Sequence, residues 1–319
     1  MNDAVLQRAT PRTASQPRPR TGAFSGLRRQ ETIAGYLFLL PNLIGFLIFS
    51  LIPIIATFGL TLTDWNLIGE RTFVGLANYQ KLVEDKLFWQ TAKNTIVYTL
   101  GAVPIGVFIA FWLALLLNRK MRGVVFFRTV FFLPHVTLTV AVAIVWAWIY
   151  HPEMGLVNYG LGLIGIDGPR WLQSTTWAMP AIIIMSNWKG IGYAMLIFLA
   201  GLQAIPQELL EAATIDGASP FQRLRHIVLP LIAPTTFFIL VTSFIGAMQA
   251  FDQFYVMTAG GPAYSTTTLV MYIFQNGFEW FQMGYAATVA VVLFACIFVI
   301  TAVQWKLAKS WAYGHEVEA

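Results

Sequence analysis

The amino-acid sequence predicts an all-α, polytopic membrane protein with six transmembrane helices, and two features of its composition support this. Of the 319 residues, 57% are hydrophobic and only 11% are charged, whereas about one quarter of a soluble domain is charged. The apolar residues are also grouped into long segments with few or no charges. These are residues 32–63, 94–118, 129–168, 226–251 and 280–305, and only the third contains acidic residues, Glu153 and Asp167. Each is long enough for a helix that crosses a bilayer, which takes about 20 residues.

A sixth predicted span, residues 177–201, contains one charge, Lys189. The only cysteine, Cys296, lies in the last apolar segment, so no disulfide can form within the chain and the residue is expected to pack as a small hydrophobe. The first apolar segment is too long for the apolar core of a cleavable signal peptide, and we expect it to remain as the first span.

Basic residues lie mainly at the ends of the spans, and their distribution predicts the orientation of the chain. Residues 1–30 contain six arginines and one acidic residue and are rich in Ser, Thr, Pro and Gly, so we expect a disordered cytoplasmic tail. The membrane domain then covers residues 31–310, and residues 311–319 form a second cytoplasmic tail. This topology explains the net charge of +5 and the pI of 9.3 without nucleic acid as a partner.

Two of the outward loops are expected to have structure of their own. Residues 75–95 mix apolar and charged positions in the pattern of a short amphipathic helix that lies on the membrane surface. Residues 269–281 are rich in aromatic side chains but too short to span the bilayer. We expect them to form an interfacial or re-entrant piece, which is tolerated at depth only where protein buries it.

The inward segment at residues 205–230 contains signals for two short helices joined by a bend. Pro206 suits the first turn of a helix, and Gly217 suits the left-handed residue that ends one. Ser219 is a good N-cap for the second helix, with Pro220 at its first position and Gln222 three residues after the cap. From the residues alone, a docking segment for a partner and an ordinary loop are equally supported.

The same segment contains a further set of residues in a fixed order: Glu211, Ala212, Ala213, Asp216, Gly217, Ala218, Ile227, Leu229 and Pro230. With these residues it resembles the EAA loop of binding-protein-dependent ABC transporter permeases of the carbohydrate-uptake (sugar or glycerol-phosphate) type. Residues 75–79, 94–95, 199–206, 258–262, 267–269, 272–273 and 284–287 resemble other parts of that family, in the same order. The resemblance covers nearly all of residues 31–310 and implies the permease fold of a type I ABC importer.

The resemblance also implies how the segment acts. In the family, the EAA helix docks in a cleft of the ATP-hydrolysing subunit. Glu211 would be the ionic anchor, Ala212 and Ala213 the close-packing face, and Gly217 the hinge. Asp216 belongs to the same coupling set, and Arg223 would face the ATPase or the lipid headgroups.

The implied partners are a second, homologous permease subunit, two ATP-binding subunits and an extracytoplasmic solute-binding protein, in a bacterial inner membrane. The chain has no Gly-x-x-x-x-Gly-Lys-Ser/Thr pattern, so ATP and Mg²⁺ are expected on the ATPase subunits and no cofactor or metal on this chain. The chain is therefore expected to be a transport subunit and not an enzyme by itself.

Charged and aromatic residues within the predicted spans are candidates for solute contacts, because a charge is costly in the bilayer. The candidates are Trp188, Lys189, Gln249, Asp252 and Tyr255, with His135 as a weaker one. An aromatic face beside amides and a carboxylate suits a polyhydroxyl ligand. The alternatives are that Lys189 pairs with an acid of a partner subunit, that Asp252 caps a helix or contacts the binding protein, and that Trp188 packs at the membrane interface.

The leading hypothesis is thus an importer subunit that works by alternating access, with a sugar, a polyol or a glycerol phosphate as the solute. A secondary, ion-coupled transporter is the alternative, but it would need a proton or sodium site and often shows inverted repeats, and the sequence has neither signal. A membrane-embedded enzyme would need clustered Asp, Glu, His or Cys within the spans, and these segments do not contain such a cluster.

Overall fold

The structure is a computed structural model that describes residues 23–119 and 122–311, with side chains for residues 31–119 and 122–307. Within these ranges the chain is almost entirely helical. The only strands are β1 (Thr63–Asp64) and β2 (Thr72–Phe73), which form one antiparallel pair with Thr63 opposite Phe73. The predicted all-α class is therefore confirmed. Most of the two predicted tails lies outside the described residues.

Fifteen α-helices follow one another in the described part of the chain. They are α1 (Ala23–Phe46), α2 (Ile52–Leu60), α3 (Ala77–Glu84), α4 (Lys86–Leu117), α5 (Val124–Val136), α6 (Thr139–Ile149), α7 (Leu156–Leu163), α8 (Ala178–Gln203), α9 (Gln207–Ile215), α10 (Pro220–Arg223), α11 (Leu229–Leu231), α12 (Ala233–Met248), α13 (Asp252–Thr258), α14 (Leu269–Phe274) and α15 (Met283–Trp311). Short π-helical turns join α1 to α2 and α10 to α11, and a third follows α14. The chain divides into two units between Ala56 and Thr57.

Four helical segments of the described chain are long and apolar enough to span a membrane alone: Glu31–Leu60, Lys86–Leu117, Ala178–Gln203 and Met283–Leu307. Two bent pairs also pass this test, Val124–Val136 with Thr139–Ile149 and Pro220–Leu231 with Ala233–Met248. The total reaches the predicted six if each bent pair is one span.

The bent pairs correct the predicted third and fifth spans, which the sequence suggested as continuous. The chain turns by 100° between α5 and α6, where Thr137 and Leu138 leave the helical region of backbone space. Pro134 lies one turn earlier and cannot donate a backbone hydrogen bond. The fifth span bends by 62° at Ile232, between Pro230 and Pro234.

Three predicted boundaries also move. Helix α1 begins at Ala23, within the predicted tail of residues 1–30, because Arg, Gln and Glu in this stretch favour helix. Helix α4 begins at Lys86 and not at residue 94, since Asp85 caps it by accepting a hydrogen bond from the Leu87 backbone amide at 2.8 Å. Helix α15 extends through Trp311.

Glycines allow the helices of the second unit to approach closely. An added Cβ at Gly101 would lie 2.6 Å from Ile183 Cδ1, and one at Gly106 would lie 2.5 Å from Asn187 Oδ1. The residue numbers rise together along the two helices, from Gly101 with Ile183 to Gly106 with Asn187, so α4 and α8 run parallel. Helices α8 and α5 also approach closely at Gly192, where an added Cβ would lie 1.9 Å from the carbonyl oxygen of Phe131.

The predicted surface helix at residues 75–95 is two elements, α3 and the first turns of α4. They meet α14 and α15 at a carboxylate, Asp85, which accepts hydrogen bonds from the hydroxyls of Tyr272 and Tyr285. The predicted interfacial or re-entrant piece at residues 269–281 is α14 with its π-turn. Its first part is buried in protein, with Leu269, Met271 and Tyr272 at most 5% exposed, whereas Phe278 and Trp280 near its end are exposed.

This cluster shifts the pKa of two groups outside the spans. Burial by itself would raise the pKa of Asp85, but hydrogen bonds from the two tyrosines and from the backbone at Leu87 and Phe88 outweigh it and lower the pKa. Burial, with the bond to Asp85, raises the pKa of Tyr272 to about 12. Asp85 is thus charged and Tyr272 neutral at physiological pH.

Candidate functional site

The segment between α8 and α12 has the local structure that the sequence predicted. Helix α9 follows Pro206, which is the N-cap and not the first helical residue, and Gly217 has a φ of +79°. Ser219 Oγ accepts from the Gln222 amide, and Gln222 Oε1 accepts from the Ser219 amide at 2.7 Å, so the capping box is complete.

A hydrogen bond across the Gly217 turn ties the two short helices together. Arg223 Nη1 donates to Thr214 Oγ1 at 2.6 Å, and Thr214 in turn donates to the carbonyl of Leu210. Arg223 is therefore partly covered by its own segment, and its role facing the ATPase or the lipid headgroups stays a prediction. Thr214 was not among the predicted site residues, because its role depends on the angle between the helices.

The remaining predicted coupling residues form an exposed surface. Glu211, Ala212, Asp216 and Gly217 are exposed and Ala213 is half-buried. The most exposed large apolar side chains on the same segment are Ile215 (87%) and Phe221 (66%), and no feature of the sequence had singled them out. A hollow of about 290 Å³ lies beside the turn and is lined in part by Asp216, Gly217, Arg223 and His226.

Lys189 binds a backbone carbonyl of its own chain. Its Nζ donates to the His135 carbonyl oxygen at 3.2 Å. This carbonyl lies in the last turn of α5, where the helix break leaves it without a helical partner. The carboxylate of Asp252, at the start of α13, interacts electrostatically with Lys189. The structure therefore brings Lys189, Asp252 and the backbone of His135 together.

The other predicted solute contacts are dispersed. Trp188 packs edge-on against Trp146 with 5.5 Å between ring centroids. Gln249 is exposed and is the C-cap of α12. Tyr255 stacks on Phe251 at 5.4 Å and lines a separate hollow of about 420 Å³ near Tyr150.

A cavity of about 310 Å³ between α4, α5, α8 and α12 is a better candidate for a solute path. Its polar lining consists of Tyr98, His135, Ser186, Asn187, Tyr193, Thr242 and Ser243. Of the predicted candidates only His135 contributes, with its ring stacked on Tyr193 at 4.7 Å. Two pairs of neighbouring uncharged polar residues, at 186–187 and 242–243, interrupt otherwise apolar spans. These pairs could have indicated the cavity lining, whereas a search for charged residues did not.

The lining combines hydroxyls, one amide and aromatic rings with small residues, which suits hydrogen bonding to a polyhydroxyl molecule. Gly190 and Gly246 also line the cavity, and an added Cβ at either would meet no atom within 4 Å. Within the described ranges, no group of three or more His, Cys, Asp or Glu side chains is placed to hold a metal ion.

Comparisons with known proteins agree on one family. Residues 102–312 match the family model described as the inner membrane component of binding-protein-dependent transport systems. The chain is similar to the probable ABC transporter permease protein YesP of Bacillus subtilis, with 38% identity over 91% of this chain and 95% of the relative. It is also similar to the trehalose/maltose transport system permease protein MalF of Thermococcus litoralis, with 34% identity over 89% and 97%.

A further relative is the lactose transport system permease protein LacF of Rhizobium radiobacter, with 36% identity over 91% of this chain and 98% of the relative. Among solved structures, a bacterial alginate ABC transporter in complex with a periplasmic protein bound to alginate pentasaccharide contains a similar chain. It has a TM-score of 0.79 and 25% identity, over 90% of this chain and 96% of that one. The protein therefore belongs to the family of binding-protein-dependent ABC transporter permeases, the inner membrane components of these transport systems.

Proposed function

We propose that this chain is the membrane-spanning subunit of an ATP-driven importer, that its solute is a sugar or a related polyol or glycerol phosphate, and that an extracytoplasmic binding protein delivers it. The observation that carries the proposal is the segment at residues 205–230. Its first helix exposes acidic residues, and its bend is held by the Gly217 turn, the capping box and the bond from Arg223 to Thr214. A segment held by these contacts can transmit a displacement as a rigid unit.

The position of the segment in the chain supports a coupling role. It connects α8 to the bent helix that continues into α12, and these two helices supply Ser186, Asn187, Thr242 and Ser243 to the cavity. Movement of the segment would therefore reach both walls of the cavity directly. Alternating access requires this kind of two-state element between the site of ATP hydrolysis and the solute path.

In this mechanism Glu211 is the ionic anchor to a basic residue of the ATPase. Ala212 and Ala213 allow close packing, and Gly217 sets the bend. Asp216 adds a second carboxylate beside the turn, and Arg223 keeps the angle between the helices through Thr214.

The polar cavity is the proposed solute path. Its hydroxyl and amide groups can replace the water around a neutral sugar, and two relatives are named as permeases for trehalose or maltose and for lactose. Lys189 follows Asn187 of this lining by two residues, and its bond to the His135 carbonyl and its interaction with Asp252 leave it a limited role in binding an anionic solute. Trp188, Gln249 and Tyr255 remain proposed contacts outside this cavity.

The complete importer would contain a second, homologous permease subunit and two ATP-binding subunits, which hold ATP and Mg²⁺. We place the chain in a bacterial inner membrane with both termini in the cytoplasm, as the arginine distribution predicts. The coupling segment then faces the ATPase subunits, and the opposite end of the spans faces the binding protein.

Purification from the native membrane followed by reconstitution tests this function. An ATPase and a second permease should co-purify, and uptake into proteoliposomes should require both ATP and the loaded binding protein. Uptake driven by a proton or sodium gradient without ATP would contradict the proposal and favour a secondary transporter.

A further inference from the structure

The turn between α13 and α14, residues 259–268, has an unusual backbone. We call it the Tyr264 turn. Three of its residues that carry a side chain lie in the left-handed region: Ala259 (φ +46°), Ala263 (φ +48°) and Tyr264 (φ +58°). This conformation is unfavourable for residues other than glycine because Cβ approaches the neighbouring carbonyl oxygen. Such residues persist only where the surroundings hold them, and they are concentrated at functional sites.

Polar side chains of α4 hold the turn from one side. Asn94 Nδ2 donates to the carbonyls of Tyr264 at 2.7 Å and of Thr267 at 2.9 Å. The Asn94 amide is itself oriented by Gln90, whose Nε2 donates to Asn94 Oδ1 at 3.0 Å. Thr95 Oγ1 accepts from the Leu269 amide at 2.9 Å, which fixes the start of α14.

Buried threonines hold the turn from within. Thr266 Oγ1 donates to the Gly261 carbonyl at 2.8 Å, and Thr267 Oγ1 donates to the Gly260 carbonyl at 3.0 Å. Both threonines have no exposed surface. The backbone of the turn is therefore fixed before any partner arrives, and a partner would not have to supply the free energy of ordering it.

The fixed turn displays an aromatic ring at the end of the spans opposite the coupling segment. Tyr264 is 45% exposed at the rim of a hollow of about 510 Å³, whose lining includes Lys86, Gln90, Thr175 and Ser265. Lys86 begins α4 and Thr175 precedes α8, and these parallel helices both run from this end toward the coupling segment.

We propose that the Tyr264 turn is the docking point at which this subunit receives the loaded binding protein. The ring packs against the surface of that protein, and Lys86 faces its carboxylates or carbonyl oxygens. A rigid, half-exposed tyrosine beside hydrogen-bonding groups is typical of the residues that dominate binding at protein interfaces. The cavity at Asn187 offers the solute a more enclosed polar site than the hollow beside Tyr264. We therefore assign the rim of that hollow to the protein that carries the solute. This inference rests on the proposed function.

Paired glycine variants of the complete importer test the docking point. Tyr264→Gly and Leu67→Gly each replace a left-handed residue (φ +58° and +68°) by glycine, which adopts this conformation without strain, but Leu67 lies outside the Tyr264 turn and does not line its hollow. In lipid nanodiscs, the ATPase rate is measured against the concentration of loaded binding protein. Tyr264→Gly should raise the half-saturating concentration about tenfold, and Leu67→Gly should leave it unchanged. Lys86→Gln should weaken docking less and reduce its dependence on salt.

Several outcomes would overturn the inference. Equal half-saturating concentrations for Tyr264→Gly and the wild type would do so, given an unchanged melting temperature and subunit composition. A changed dependence on solute with unchanged dependence on binding protein would assign the turn to solute contact, and loss of the second permease would assign it to the subunit interface. If the binding protein does not stimulate even the wild-type complex, the proposed function fails and this inference fails with it.

Discussion

Replacement of Gly217 tests the coupling segment at the point where its geometry depends on one residue. Gly217 has a φ of +79°, and its amide donates to the Thr214 carbonyl at 3.1 Å. An added Cβ would meet no atom within 4 Å. The effect of Gly217→Ala is therefore conformational only, without a steric clash.

The size of that effect follows from the backbone. A left-handed conformation costs an L-residue about 1–2 kcal/mol, which lowers the population of the braced turn by a factor of roughly 5 to 30. Gly217→Pro acts more strongly, because proline fixes φ near −65° and removes the amide that bonds to Thr214. We expect a several-fold loss of coupled uptake for the alanine variant and complete loss for the proline variant.

The assay is solute uptake and ATP hydrolysis by the reconstituted importer, measured on the same preparation. Gly75→Ala is the matched control, since Gly75 is also left-handed (φ +57°) with open space around its Cβ but is far along the chain from the coupling segment. Membrane insertion should be normal for all three variants. Normal uptake by Gly217→Pro would refute the reasoning, as would equal losses for Gly217→Ala and Gly75→Ala.

Three further predictions concern other parts of the molecule. Asp252→Asn should change the apparent affinity for solute several-fold by leaving Lys189 without its counter-charge, and unchanged transport kinetics would remove Asp252 from the site. Gly192→Ala should destabilise the protein by roughly 1–3 kcal/mol, seen as a lower melting temperature, because its Cβ would overlap the Phe131 carbonyl, whereas Gly190→Ala has open space and should not. Asp85→Asn should cost about 2 kcal/mol at neutral pH, measured as a melting-temperature difference from the wild type. Because folding lowers the Asp85 pKa, this difference should shrink as pH falls below about 4, and a difference independent of pH would contradict the assignment.

Local chemistry explains which parts of the fold could be predicted from the sequence. The Gly217 turn and the capping box of Ser219 with Gln222 depend on residues at most three positions apart, and both are present as predicted. The helical spans could be predicted because a bilayer requires every helix that crosses it to be about 20 residues long and largely apolar, and both properties can be read from the sequence.

Contacts between distant residues explain what was missed. Beside the 100° break after α5, the carbonyl of His135 is bound by Lys189, which is 54 positions away along the chain. The polar cavity combines residues from four helices, and each contributes only one to three uncharged polar groups. Asn94 reaches a turn 170 positions away, so no pattern along the chain marks its role.

The most direct test of the central claim compares two glutamates on the same short helix. Glu211→Ala should abolish uptake and its coupling to ATP hydrolysis, whereas Glu208→Ala, one turn earlier on α9, should leave both near the wild-type level. The measurement is the number of solute molecules transported per ATP hydrolysed in proteoliposomes, with assembly of all subunits confirmed for each variant. A wild-type ratio for Glu211→Ala would contradict the assignment of this segment as the contact that couples ATP hydrolysis to transport.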